Sequence, residues 1–279
     1  MSDAVIGVIG GSGLYELFQD GQVDTITLDT PYGPPSGHIS IGSIGGRRVA
    51  FFARHGADHS LPPHRIPYRA NIWALASLGV NAIVTSSAVG GLSARATPGS
   101  FVLPDQLIDR THGRPDTFYD DADVQHLAAA EPFDPTLRSV ASEALRAMGE
   151  TVLPEGTTVV IQGPRFSTKA EARWFRVAGA DIVNMTQYPE AVLAAELNVG
   201  LVTLSFVTDT DTGTESGDTV DAADAGMVLE RMRKGAPRIR AAIEAIVTAV
   251  PEAYRAPELI LPAAVARVLA ARVTTGGAA

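Results

Sequence analysis

The chain has 279 residues, 46% of them hydrophobic, no cysteine and a formal net charge of −9. That length and apolar content can build one large globular core or two small ones, and no apolar run approaches the roughly 18–20 residues a membrane-spanning helix needs. The acidic balance, with no compensating block of Lys or Arg, argues against nucleic acid as a partner, and the lack of cysteine excludes disulfides and thiolate metal sites.

Met1-Ser2-Asp3-Ala4 leads directly into apolar sequence, without the basic segment that begins a secretion signal, so a cytoplasmic protein is expected. A buried strand is predicted over residues 4–9, with its exit at Gly10-Gly11-Ser12-Gly13. Such a turn exposes backbone N–H groups and a hydroxyl, which suits an anion, although a plain tight turn explains the glycines equally well. It is not a dinucleotide fingerprint, because Glu16 stands where the third glycine belongs, and it lacks the Gly-Lys-Ser/Thr of a P-loop. A second strand, 49–53, ends in Arg54-His55-Gly56-Ala57-Asp58-His59. An arginine fork can grip two phosphate oxygens and the adjacent imidazole can donate a third bond. A solvated polar loop is the plainer reading. Gly56 between the histidines, and Leu61-Pro62-Pro63 after them, argue against the helix and ligand set of a zinc site.

A helix at 70–78 and a strand at 82–86 follow, the strand running into Thr85-Ser86-Ser87-Ala88-Val89-Gly90-Gly91. Hydroxyls followed by paired glycines make a third candidate cradle. All three lie at C-terminal strand ends, where α/β sheets hold ligands, and together they point to a phosphate or oxyanion site. Beyond a helix at 135–148 and a strand at 157–161 comes Gln162-Gly163-Pro164-Arg165-Phe166-Ser167. Phe166 can stack on a flat ring; Arg165 is a ligand or a structural ion-pair partner. Thr168-Lys169-Ala170-Glu171 reads as a capping box opening a helix at 168–177. A strand at 181–183 leads to Asn184-Met185-Thr186, where Met185 packs on a sugar or simply fills core. Pro189 suits the first turn of a helix at 189–197, with Glu190 favourable at its positive end.

The strand 199–207 ends in Thr208-Asp209-Thr210-Asp211. Carboxylates two apart on extended backbone point the same way. They fit a metal site, an acid/base pair with one pKa raised, or a polar turn into Gly213, and spacing alone leaves all three open. A long helix from Asp221 towards Val250, bent near Pro237, and a last amphipathic helix over 261–272 complete the pattern, ahead of a frayed end. The alternation of strands and helices predicts an α/β fold with the sheet covered on both faces, and no composition break divides residues 1–279, so one domain is expected.

In this order and spacing the motifs closely resemble the 5′-methylthioadenosine phosphorylases, a branch of the trimeric purine nucleoside phosphorylases. The resemblance covers about residues 5–250 and also takes in Asp29-Thr30-Pro31-Tyr32-Gly33, Tyr68-Arg69-Ala70-Asn71-Ile72-Trp73-Ala74-Leu75, Asp105-Gln106 and Asp109-Arg110-Thr111; the tail from about 251 matches less clearly. It implies a single nucleoside phosphorylase domain with a mixed central β-sheet flanked by helices. It implies that phosphate attacks C1′ of a ribose and releases a purine through an oxocarbenium-like transition state. By motif, Ser12, Arg54, His55, Ser87, Thr186 and the Ala88 N–H would hold phosphate. Met185 would pack on the ribose and Phe166 along the purine, with Ser167 and Thr208 in the base site. Asp209 would meet N7 and N6 and help protonate the leaving base, and Asp211 would contact the amino group. No metal or organic cofactor is implied, only inorganic phosphate as co-substrate. The family further implies a homotrimer in which His126 of a neighbouring chain closes the 5′ side.

Asp209 and Ser167 are the aminopurine choices, where the oxopurine branch carries Asn and Glu. A carboxylate facing O6 sets acceptor against acceptor, and such sites discriminate by up to about 10⁴–10⁵. Methylthioadenosine, or a closely related 5′-modified adenosine, is therefore the expected substrate. Two departures stand against this: Gln162 replaces the usual Glu before Gly-Pro-Arg-Phe, and Ala88-Val89-Gly90-Gly91 is similar to the oxopurine branch. The 5′ wall is expected from Val220, Ala222 and Ala225 and from the segment Leu261 to Leu269, small enough for methylthio, hydroxyl or halogen. The competing readings are a 6-oxopurine nucleoside phosphorylase, a hydrolase, and a non-catalytic nucleoside- or phosphate-binding protein.

Overall fold

The computed structural model describes residues 5–18, 23–121, 123–213 and 222–271. Residues 1–4, Val220, Asp221 and the segment 272–279, all used in the sequence reading, lie outside the described residues. In chain order the elements are β1 (Val5–Gly10), β2 (Asp24–Ile26), β3 (Ile39–Ile44), β4 (Arg47–Ala53), α1 (Tyr68–Ser77), β5 (Val80–Gly91), β6 (Phe101–Val102), β7 (Gln106–Arg110) and α2 (Pro135–Ala147). They continue as β8 (Val152–Leu153), β9 (Thr157–Ile161), α3 (Lys169–Val177), β10 (Ile182–Asn184), α4 (Gln187–Glu196), β11 (Gly200–Asp209), α5 (Ala225–Ala249) and α6 (Pro262–Ala270).

The eleven strands of the described residues join one mixed sheet, ordered β2-β3-β4-β1-β5-β10-β9-β7, with β11 on the free side of β5 and β6 and β8 beyond it. The centre, β4-β1-β5-β11, is parallel throughout. β1 and β11 are buried along their whole length, as expected of largely apolar strands covered on both faces. Parallel pairing brings the C-terminal ends of these four strands, and the motifs that follow them, to one edge. The antiparallel members are β2 and β3 beside β4, the short β10–β5 contact and β6 against β11.

Helices cover both faces. Ile72, Trp73 and Leu75 of α1, Leu193 of α4 and Val265 of α6 share one apolar cluster. Leu137 and Leu145 of α2 and Ile239, Ile243 and Ile246 of α5 share another with Val202, Leu204 and Phe206 of β11. Local signals fix the starts. Asp134 caps α2 by accepting from the Leu137 N–H at 2.8 Å, and both hydrogen bonds of the Thr168/Glu171 capping box are formed at α3. α5 begins later than predicted, because residues 222–224 are not helical and Asp224 supplies the cap to Met227. It continues as one helix through Pro237. At Gly235 a Cβ would lie 2.8 Å from the Phe206 ring, so glycine there lets α5 approach the sheet closely. No helix among the described residues is long and apolar enough to cross a membrane.

Candidate active site

A cavity of about 350 Å³ opens at the shared strand edge, lined by Ser12, Arg54, His55, His59, Ser87, Ala88, Phe166, Met185, Thr186, Thr208, Asp209 and Asp211 among others. Of the residues expected to hold phosphate, ribose or purine, only Ser167 and His126 fall outside this lining. Ser167 stands just behind it, beside Asp211. His126 is exposed on an irregular segment and is not part of the lining.

At one end the glycine turn docks on β5. The Gly11 N–H donates to Ser86 Oγ at 3.1 Å, and a Cβ on Gly11 would come within 2.4 Å of the Ser86 carbonyl. Close backbone approach therefore requires this glycine, and it carries Ser12 to the rim. Arg54 is buried, and its fork faces Glu190: Nε donates to Oε2 at 2.7 Å and Nη2 to Oε1 at 2.8 Å. Nη1 donates to the Ser86 carbonyl at 2.9 Å and Nη2 also to Thr85 Oγ1. Four of its five N–H groups are thus engaged, and the fork read as open to an anion is filled by a carboxylate. Burial alone would lower the Arg54 pKa, but the charge and hydrogen bonds of Glu190 reverse this and raise it. Glu190, read in the sequence as a helix-end acid, is instead this buried partner. Its signal was a carboxylate set among the apolar residues Ala191, Val192, Leu193 and Ala194 of a helix buried along most of its length.

His55 corrects a second expectation. Its Nδ1 lies 2.8 Å from the Leu61 carbonyl, which can only accept, so that nitrogen carries the hydrogen. Burial, then the charge of Arg54, lowers its pKa to about 4, so near neutral pH the ring has no second N–H to donate. Nε2 is left as an acceptor. His59, not assigned a role in the sequence, stacks on His55 with centroids 4.4 Å apart and meets Tyr15 Oη through Nδ1 at 3.1 Å. Among the described residues no group of three or more His, Asp or Glu is arranged to hold a metal ion.

At the other end β11 delivers the two carboxylates. Its pairing with β5 shifts between Val207 and Asp209, so Thr208 is an extra residue and Asp209 is re-aimed. The pair does not converge by strand alternation, as the sequence suggested. Asp211 has left the strand, with φ +53°, and its N–H donates to Asp209 Oδ1 at 2.8 Å. Thr208 Oγ1 donates to Asp209 Oδ2 at 2.7 Å. Gly90 makes room: a Cβ there would sit 2.9 Å from Asp209 Oδ1 and 3.2 Å from the Asp211 Cβ. Burial, with a contribution from the charge of Asp209, raises the Asp211 pKa to about 6 although Ser167 works the other way. Ser167 Oγ and Asp211 Oδ2 are both buried without a hydrogen bond of normal geometry.

Between the two ends lies Met185, whose sulfur would be 2.6 Å from a Cβ on Gly163, which adopts φ +62°. Asn184 Oδ1 accepts from the N–H groups of Thr186 and Gln187, holding the start of α4. Phe166 is 37% exposed at the mouth. Arg165 takes the structural alternative, pairing with Glu171 through two bonds of 2.7 Å. Gln162 Oε1 accepts from the His112 N–H. The apolar wall comes from Ala225, Val228 and Leu229 of α5. The expected second wall does not: Ala264 and Val265 pack against α1, and Trp73 Nε1 donates to the Val268 carbonyl at 3.0 Å. Ala222 is not part of the lining either.

Comparison with known proteins agrees with this geometry. The family model described as the phosphorylase superfamily matches residues 5–248. S-methyl-5′-thioadenosine phosphorylase of Mycolicibacterium smegmatis is 50% identical over 227 residues, covering 81% of this chain and 85% of the relative. A purine nucleoside phosphorylase of Streptomyces coelicolor is 44% identical over 256 residues, covering 89% and 90%. The structure of methylthioadenosine phosphorylase from Schistosoma mansoni in complex with adenine superposes with a TM-score of 0.82 at 34% identity, covering 88% and 91%.

Proposed function

The chain belongs to the phosphorylase superfamily, and from that premise we propose that it cleaves 5′-methylthioadenosine, or a closely related 5′-modified adenosine, with phosphate. The products are adenine and a 5-substituted ribose 1-phosphate. One observation carries this reading: a single cavity is lined both by the buried carboxylates Asp209 and Asp211 and by the hydroxyl side chains Ser12, Ser87 and Thr186.

Phosphate binds at the Ser12, Ser87 and Thr186 hydroxyls, the Ala88 N–H and the remaining N–H of Arg54. His55 Nε2 accepts from the protonated oxygen of hydrogen phosphate. The bound anion attacks C1′ and stabilises the positive sugar as it forms. Met185 packs on the ribose and Phe166 on the purine. Asp209, oriented by Thr208 and Asp211, meets N7 and the 6-amino group and assists protonation of the departing base. Asp211 and Ser167 contact the same amino group. This pairing favours adenine over the 6-oxopurines, although one relative is a purine nucleoside phosphorylase. The small wall of Ala225, Val228 and Leu229 favours an apolar 5′ group.

The whole chain acts as one domain, with inorganic phosphate as co-substrate and no metal or organic cofactor. A homotrimer fits the position of His126, exposed on one chain and available to close the 5′ side of another. Release of adenine from methylthioadenosine is expected to require phosphate and to yield one ribose 1-phosphate per adenine, followed by phosphorus NMR. Equal turnover in phosphate-free buffer would make the protein a hydrolase.

A further inference from the structure

Beneath the hydroxyl end of the cavity lies a buried polar contact that no role above uses. Ser87 of β5 and Ser205 of β11 are register partners on adjacent parallel strands. Gln187, the first residue of α4, reaches between them: its Nε2 donates to Ser87 Oγ at 3.1 Å and to Ser205 Oγ at 2.8 Å. Gln187 is 1% exposed and Ser205 fully buried, whereas Ser87 lines the cavity. An amide nitrogen carries two hydrogens and accepts nothing, so both are committed and both hydroxyls act as acceptors towards it. A serine hydroxyl has a single hydrogen, which must then point away from its donor. For Ser87 that direction is the cavity.

We infer that Gln187 is a positioning residue that fixes the Ser87 hydroxyl as a hydrogen-bond donor towards the bound phosphate. This rests on the reading of Ser87 as a phosphate ligand. A hydroxyl left to rotate would present a lone pair to the anion part of the time, and the ordering would have to be supplied on binding. The backbone of residue 187 is held separately, through its N–H to Asn184 Oδ1 at 2.8 Å, so changing the side chain leaves that anchor of α4 in place.

The test compares Gln187→Glu and Gln187→Met in the full-length enzyme, alone and with Ser87→Ala, by KM for phosphate, KM for methylthioadenosine and Tm. The nearly isosteric Glu accepts the Ser87 hydrogen, turns it from the cavity and adds negative charge. Its expected effect is a rise of about tenfold or more in KM for phosphate, with KM for the nucleoside within about twofold, a tenfold change being about 1.4 kcal/mol. Met is expected to act in the same direction, less strongly, and to add little once Ser87 is alanine. Full additivity with Ser87→Ala overturns the inference. So does an equal rise in both KM values with a fall in Tm, which marks a packing role. A wild-type phosphate KM for Gln187→Glu would mean that the amide oxygen, not the nitrogen, faces the hydroxyls, and overturns it too. Base release without phosphate by the unaltered enzyme would instead remove the reading on which it rests.

Discussion

Asp209→Asn is expected to lower kcat/KM for methylthioadenosine by about 10²–10⁴-fold, the range for loss of a positioned acid/base group, while the ratio of inosine to methylthioadenosine cleavage rises. The reason lies in how Asp209 is held. Its Oδ1 accepts from the Asp211 N–H and its Oδ2 from the Thr208 hydroxyl. The backbone N–H can only donate, so an asparagine must keep its oxygen there. The Thr208 hydroxyl can reverse, and it already lies 3.2 Å from the Val89 carbonyl as an alternative acceptor. The asparagine amide nitrogen therefore takes the Oδ2 position with the turn intact. It offers a donor where the carboxylate offered an acceptor, which suits O6 and clashes with a 6-amino group. Kinetics on both nucleosides, with Tm as the control for folding, measure the effect. An unchanged preference would show that Asp209 does not read the base.

Glu190→Ala is expected to cost about 3–5 kcal/mol of stability, the usual result of stranding a buried charge by deleting its partner. Arg54 and Glu190 are both 1% exposed, and the change removes two acceptors of the guanidinium and the acceptor of Thr85 Oγ1. Against a total stability of about 5–15 kcal/mol this is a large share, visible in thermal or urea unfolding. The double variant Arg54→Met with Glu190→Leu separates structure from function. Replacing both charges by apolar groups of similar volume is expected to recover most of the stability, yet phosphorolysis should stay weak, because the cavity has lost its guanidinium. A double variant with wild-type phosphate affinity would show that the pair is purely structural.

Much of the fold is legible because the central strands carry apolar runs: 157–161 agrees with β9 at both ends, and β1, β4 and β11 differ from their predicted limits by a few residues. The short strands β2 and β3 escape, since Asp24–Ile26 has too little pattern. Yet Ile39-Ser40-Ile41 followed by Gly45-Gly46, both with positive φ, was a readable hairpin signal. For the cavity, chain order shows which strand ends carry ligands but not how polar groups pair across it. Arg54 advertises an open fork and Glu190 an end-of-helix acid, and only tertiary packing over 136 residues of separation reveals that each is the other's partner. In the same way, alternation predicts that Asp209 and Asp211 share a direction. The bulge at Thr208 and the left-handed turn at Asp211 bring them together by another route. The C-terminal helix misleads because its amphipathic pattern says that a face is buried, not against what. Trp73 takes it.

The most direct test of the account is the ratio of kcat/KM for methylthioadenosine to that for inosine, measured at saturating phosphate with the same enzyme. A buried carboxylate at the 6-position, with Ser167 beside it, predicts a ratio far above one, up to about 10⁴. Inosine cleaved as fast or faster would contradict it, and Asp209 and Asp211 would then be a structural turn at the end of β11.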